Sequence, residues 1–164
     1  MTRTIMIVGG GNTDEGADEG APRVGAGHGL ADDAVCASAI RQVAGHFPEL
    51  THFGFGVFDA HTLSPAERAA RFRDSRAAMF TPDAFDELRR AHGWLGLQRR
   101  TRQVNRRAGT SYGLKHVAER AMGGYIANGM FIAAAVARGF VVRRAHGGPN
   151  AYLGISQEAV RLGG

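Results

Sequence analysis

The chain opens with Thr4-Ile-Met-Ile-Val8, a β-prone apolar run that stops at Gly9-Gly-Gly11, and this predicts a short buried strand. From Gly9 to Gly29, eight of 21 residues are glycine and four are acidic. Almost nothing there can be buried, so residues 9–29 read as a mobile Gly/Asp-rich loop. Between Ala31 and Phe47, the apolar residues Val35, Ala39, Val43 and Phe47 recur every fourth position, with Cys36 and Ile40 alongside. That spacing predicts an amphipathic helix, opened by Asp32 and Asp33 and ended by Pro48, with Cys36 in the core. His52-Phe-Gly-Phe-Gly-Val-Phe58 alternates large apolar residues with glycine, the pattern of a strand packed on close backbone. Together these elements predict a β-α-β portion.

Ser64-Pro-Ala-Glu67 is a helix start: serine caps, proline takes the first helical position and glutamate closes the capping box. Ala69, Phe72 and Phe80 mark its expected buried side. Thr81-Pro-Asp83 repeats the signal, and Phe85, Leu88, His92 and Leu95 give the next helix an apolar stripe that Gly93 and Gly96 loosen. His92 reads as a core or boundary histidine. Residues 97–111 follow, with five arginines and only Leu97 and Val104 as bulky apolar residues, a composition for a flexible surface arm. Ser111 is placed to cap a helix whose Leu114, Val117, Ala118, Ala121 and Met122 share one side. Lys115, His116, Glu119 and Arg120 share the other. Gly123-Gly124 stops it. Asn128 is placed to cap a second helix, 129–138, that is apolar throughout and reads as buried, with Gly139 just past its end. Phe140–Arg144 and Ala151–Ile155, joined by His146-Gly-Gly-Pro-Asn150, read as a hairpin.

Charge divides this string in two. Residues 1–88 hold seven arginines against 13 acids, whereas residues 89–164 hold 13 bases against two acids. The expected division is an acidic β-α-β portion over 1–80 and a basic portion over 81–164. A base excess with so few neutralising acids points to a polyanion facing the second portion, nucleic acid above all. One cysteine excludes a disulfide framework and a multi-cysteine zinc site. No apolar run reaches the length of a membrane span, so a soluble, cytoplasmic protein with no membrane partner is expected.

The order helix 82–95, helix 112–122, tight turn, helix 129–138 and hairpin 140–155 resembles a winged helix-turn-helix domain. The fold class expected is therefore α+β, an N-terminal β-α-β portion plus a winged-helix-like helix-turn-helix and β-hairpin. The resemblance implies DNA binding, with the second helix of the pair in the major groove and the hairpin on the backbone. Here Met130-Phe-Ile-Ala-Ala-Ala-Val-Ala137 has no side chain that reads base edges. The expected contacts therefore move to phosphates. They are Arg99, Arg100, Arg102, Arg106 and Arg107 with Asn105 between them, then Ser111, Tyr112, Lys115 and His116, and one of Arg143 and Arg144, since neighbours on a strand face opposite ways. Tyr112 is available to stack on a base. The segments Asn105-Arg-Arg107, Ser111-Tyr-Gly-Leu-Lys-His116, Gly124-Tyr-Ile-Ala-Asn-Gly129 and Phe131-Ile-Ala-Ala-Ala135 also resemble a block in uncharacterised phage, plasmid and proteobacterial proteins, which implies a mobile-element accessory protein or an inhibitor.

Enzymatic motifs fit poorly. After Ile5–Gly11, the third glycine of a dinucleotide-binding turn would fall at Asp14, whose charge repels a pyrophosphate. A phosphate-cradling Gly-Lys-Ser/Thr is missing, because the only lysine is Lys115. His116 and Glu119 are two metal ligands without a third. Tyr112–His116 resembles the His-x-x-Arg box of tyrosine recombinases only with both defining residues replaced. The expectation is a non-enzymatic accessory or regulatory protein that binds nucleic acid, DNA ahead of RNA, with no catalytic residue, metal or cofactor. The alternative is a protein-protein inhibitor or adaptor whose basic face docks on an acidic partner. Helix 129–138 leaves a homodimer open.

Overall fold

The structure is a computed structural model describing residues 29–158. The strand expected at 4–8 and nearly all of the loop expected at 9–29 lie outside those residues. Helix α1 spans Asp33–His46, and the Asp32 side chain accepts a hydrogen bond from the Val35 amide at 2.8 Å. Cys36, Ala39, Ile40 and Val43 form its buried stripe, and burial pushes the Cys36 thiol above its ordinary range.

Strand β1 (Leu50–Thr51) pairs antiparallel with β2 (Gly54–Phe55). The strand expected over 52–58 is thus cut to two residues, because β1 offers only two partners and Gly56, at φ +83°, turns the chain away. Among the described residues these two strands pair with each other, and the expected β-α-β arrangement rests on residues outside them.

Helix α2 (Pro65–Ala77) starts as its sequence predicts, with a complete capping box between Ser64 and Glu67. Its expected buried side needs correcting. No residue of α2 is buried, Ala69 is exposed, and Phe72 and Phe80 are half-buried. The helix leans on the body at β1 and at the turn Ala78–Phe80, where Met79 is the buried anchor.

Helix α3 (Pro82–Gly96) runs through Gly93 without a break and buries Phe85, Leu88, Ala91, Trp94 and Leu95. Helix α4 is Ser111–Met122, ended by Gly123 at φ +70°, and α5 is Asn128–Ala137. All ten residues of α5 are buried, packed against α1, α3, α4 and β2. At Gly129 a Cβ would meet the Thr51 carbonyl oxygen at 1.7 Å, so only glycine lets α5 approach β1 this closely. Strands β3 (Val142–Arg144) and β4 (Ala151–Leu153) form the expected antiparallel hairpin. The protein is α+β, and one apolar core runs from Leu30 through Ile155, crossing residue 80 at Met79 and Phe80.

Both expected helix caps shift by one residue. The cap positions are Thr110 and Ala127, while Ser111 and Asn128 are the first helical residues. Their side chains turn inward to polar partners in the core instead of back along the helix. On α4 the expected sides also change: Lys115 is buried, whereas Ala121 and Met122 are exposed.

Candidate nucleic-acid interface

Residues 99–110 are not a loose arm. They run along the free side of β4, where Thr101 N donates to Gly154 O at 2.7 Å, Asn105 N to Leu153 O at 2.8 Å and Ser156 N to Arg99 O at 2.9 Å. Isolated bridges Arg100–Ile155 and Thr110–Tyr152 complete the pairing. A polar composition does not free a segment that satisfies an otherwise unpaired strand edge. Asn105 belongs to this scaffold: its amide donates to Ile155 O at 3.0 Å, and its side-chain oxygen accepts from Arg107 N at 3.1 Å.

Outward from that sheet, Arg143 lies directly across from Tyr152, and cross-strand partners share a face. The Arg106 guanidinium sits 5.3 Å from the centroid of the same Tyr152 ring. Two arginines therefore flank one half-buried tyrosine. Arg144 goes the other way, as the pleat requires, to within 5.4 Å of the Phe55 ring and 3.9 Å of Glu49. Arg100 donates to Arg138 O at 3.2 Å, at the C-terminal end of α5. Among the described residues, the exposed Arg99, Arg102, Arg107 and Arg143 form no ion pair or side-chain hydrogen bond, so their charge is uncompensated locally.

The α4 residues separate from this group. Ser111 is buried, donating to Asn128 Oδ1 and accepting from Ala151 N, so it offers nothing to a phosphate. Lys115 is 4% exposed and held 2.8 Å from Glu119 Oε1. Its expected place among exposed phosphate contacts is corrected by this pairing, since moving the ammonium outward would strand a partly buried carboxylate. His116 Nδ1 lies 2.6 Å from Glu119 Oε2, and Glu119 Oε1 also accepts from the Ile126 amide. Burial raises the Glu119 carboxyl, but bonds from Lys115, Ile126 N and His116 outweigh it and hold the group below its ordinary range. Tyr112 is exposed.

Reading the sequence missed Tyr152, although its place between the wholly aliphatic Ala151 and Leu153, with a polar hydroxyl of its own, carries a signal for its outward position. Tyr125 and Glu87 were missed as well. Glu87 Oε2 accepts from Ala127 N at 2.8 Å and lies 3.1 Å from His52 Nε2, a partnership no local pattern reveals. Among the described residues, no group of three or more histidines, cysteines or acids could hold a metal ion, and no helix is long and apolar enough to cross a membrane. No protein-family model matches the chain, nor does any curated protein or solved structure compared with it.

Proposed function

We propose that the protein is a non-enzymatic accessory or regulatory protein that binds nucleic acid through its phosphate backbone. The observation that carries this reading is the outer face of the β3–β4 hairpin, where Arg106 and Arg143 flank Tyr152. Arg99, Arg102 and Arg107 extend the same basic segment. Residues 97–158 contain ten bases and two acids, so the field over this part of the surface attracts a polyanion. The helix pair and the hairpin with a third segment along β4 support a winged-helix-like arrangement. Burial of all of α5 takes groove reading by that helix out of the proposal. Contacts are then to phosphate, with affinity steep in salt and shallow in sequence.

The test is a binding titration against a mixed-sequence duplex and a single strand at about 50 and 200 mM salt, where released counterions reveal phosphate contacts. Binding that weakens steeply between the two salt levels supports the reading. No binding at the lower salt ends it and transfers the basic face to an acidic protein partner.

A further inference from the structure

Lys115 is the only lysine in the chain, and its buried ammonium lies 4.9 Å from the centroid of the Tyr125 ring and 5.4 Å from that of Tyr112. The two rings come from opposite ends of α4 and converge on one charge. Both nevertheless stay at the surface, Tyr112 53% and Tyr125 64% exposed. His116 stands edge-on to Tyr112 at 4.7 Å, and Arg120 follows it one helical turn later on the same side. Arg90 donates to the Tyr125 backbone carbonyl at 3.1 Å, which brings a second guanidinium to the segment that carries the second ring. Glu119 has both oxygens committed, one to Lys115 and Ile126 N and the other to His116.

We propose that Tyr112 and Tyr125 form a stacking platform for unpaired bases of a single-stranded nucleic acid, with Arg90 and Arg120 at its rim for the phosphates. This rests on the nucleic-acid reading above and adds the strand form. Every base has a π-face, but in a duplex its neighbours cover that face, so an exposed aromatic pair with a basic rim selects unpaired bases. The buried ammonium holds both rings in place before any ligand arrives, so less side-chain freedom is lost on binding than for two loose tyrosines. Thr110, whose backbone bridges to Tyr152, lies two residues before Tyr112, so the chain leads from the hairpin into the helix that carries the platform.

The experiment titrates the full chain with a mixed-sequence oligonucleotide as single-stranded DNA, single-stranded RNA and duplex DNA, at several salt concentrations. Beside the wild type stand Tyr112→Ala/Tyr125→Ala and Tyr112→Phe/Tyr125→Phe. Expected are a preference for either single strand over duplex, a loss of about tenfold or more per ring in the alanine variant with the salt slope unchanged, and recovery in the phenylalanine variant. Ultraviolet cross-linking of wild-type protein to a strand carrying 5-bromouracil, mapped by mass spectrometry, decides the matter if the alanine variant does not fold. Adducts on Tyr112 or Tyr125 support the platform. Wild-type affinity in the folded alanine variant, preference for duplex, or adducts confined to Tyr152 overturn the platform and leave the backbone reading standing. Failure of every strand to bind at about 50 mM salt overturns both.

Discussion

The Ser111 hydroxyl donates to Asn128 Oδ1 at 2.7 Å, joining the first residue of α4 to the first residue of α5 inside the core. The same hydroxyl oxygen accepts from Ala151 N on β4 at 2.9 Å. The Asn128 amide donates to Pro149 O and to Asn150 Oδ1, both at 3.1 Å. Two helix starts and the turn of the hairpin thus share one polar knot. A fully satisfied buried network of this kind fixes relative positions that apolar packing leaves freer.

Ser111→Ala leaves Asn128 Oδ1 and the Ala151 amide short of a partner in a dry place. Urea denaturation is expected to show a loss of about 1–3 kcal/mol, the cost of stranding a buried polar group. Combined with Asn128→Ala, the loss should fall short of the sum of the single variants, because both remove the same bond. Additive losses would show that the knot does not act as a unit.

Two helical glycines are expected to respond oppositely to alanine. At Gly129 the new Cβ would lie 1.7 Å from Thr51 O, and Gly129→Ala should destabilise by roughly 3 kcal/mol or more, since backbone on both sides must move. At Gly113 of α4 nothing beyond the adjoining backbone of its own helix lies within 4 Å of the added carbon, so Gly113→Ala should stabilise by about 0.5–1 kcal/mol through the lower chain entropy of the unfolded state. Thermal melts of the two variants read both signs.

His92 is half-buried, and desolvation, helped by the neighbouring Arg138 charge, lowers its pKa from 6.5 to about 4. Between those values the unfolded chain binds a proton that the folded one refuses, so stability rises with pH across this window. The contribution is fully present above about 6.5 and is lost as pH falls towards 4. Stability curves from pH 7 to pH 4 should therefore fall less steeply for His92→Gln than for the wild type. Parallel curves would remove His92 from the acid response.

The arginines of the interface separate by geometry. Replacing Arg102, Arg106 and Arg107 together with alanine should reduce the slope of log affinity against log salt by about three, close to one per lost phosphate contact. Arg143→Ala should reduce it by about one. Arg144→Ala should leave it unchanged, because that side chain lies over Phe55 and beside Glu49. A slope that falls for Arg144→Ala and not for Arg143→Ala would place the contact on the other side of the hairpin.

Local rules were enough wherever an element's signal and its partner lie within a few residues. The Asp32 cap, the Ser64–Glu67 capping box, the stop at Gly123 and the apolar length of α5 are all readable from sequence, because each depends on backbone groups one turn away. The split between Arg143 and Arg144 is equally local, a consequence of the pleat. What the tertiary structure decided involves partners far along the chain. A 3.6-residue period cannot say whether anything covers the Ala69–Phe72 side of α2, and in the described residues nothing buries it. Ser111 and Asn128 looked like caps because they stand where helices begin, but their side chains answer to each other across 17 residues and to the hairpin beyond. The 99–110 segment looked free because it is polar, yet its backbone serves the edge of β4, and backbone pairing does not depend on side-chain hydropathy. Lys115 had every mark of an exposed charge. Helical spacing already sets Glu119 and Tyr112 beside it, one turn away on either side, but only the fold adds the Tyr125 ring and closes the core over the ammonium, which the ion pair and the aromatic faces then satisfy.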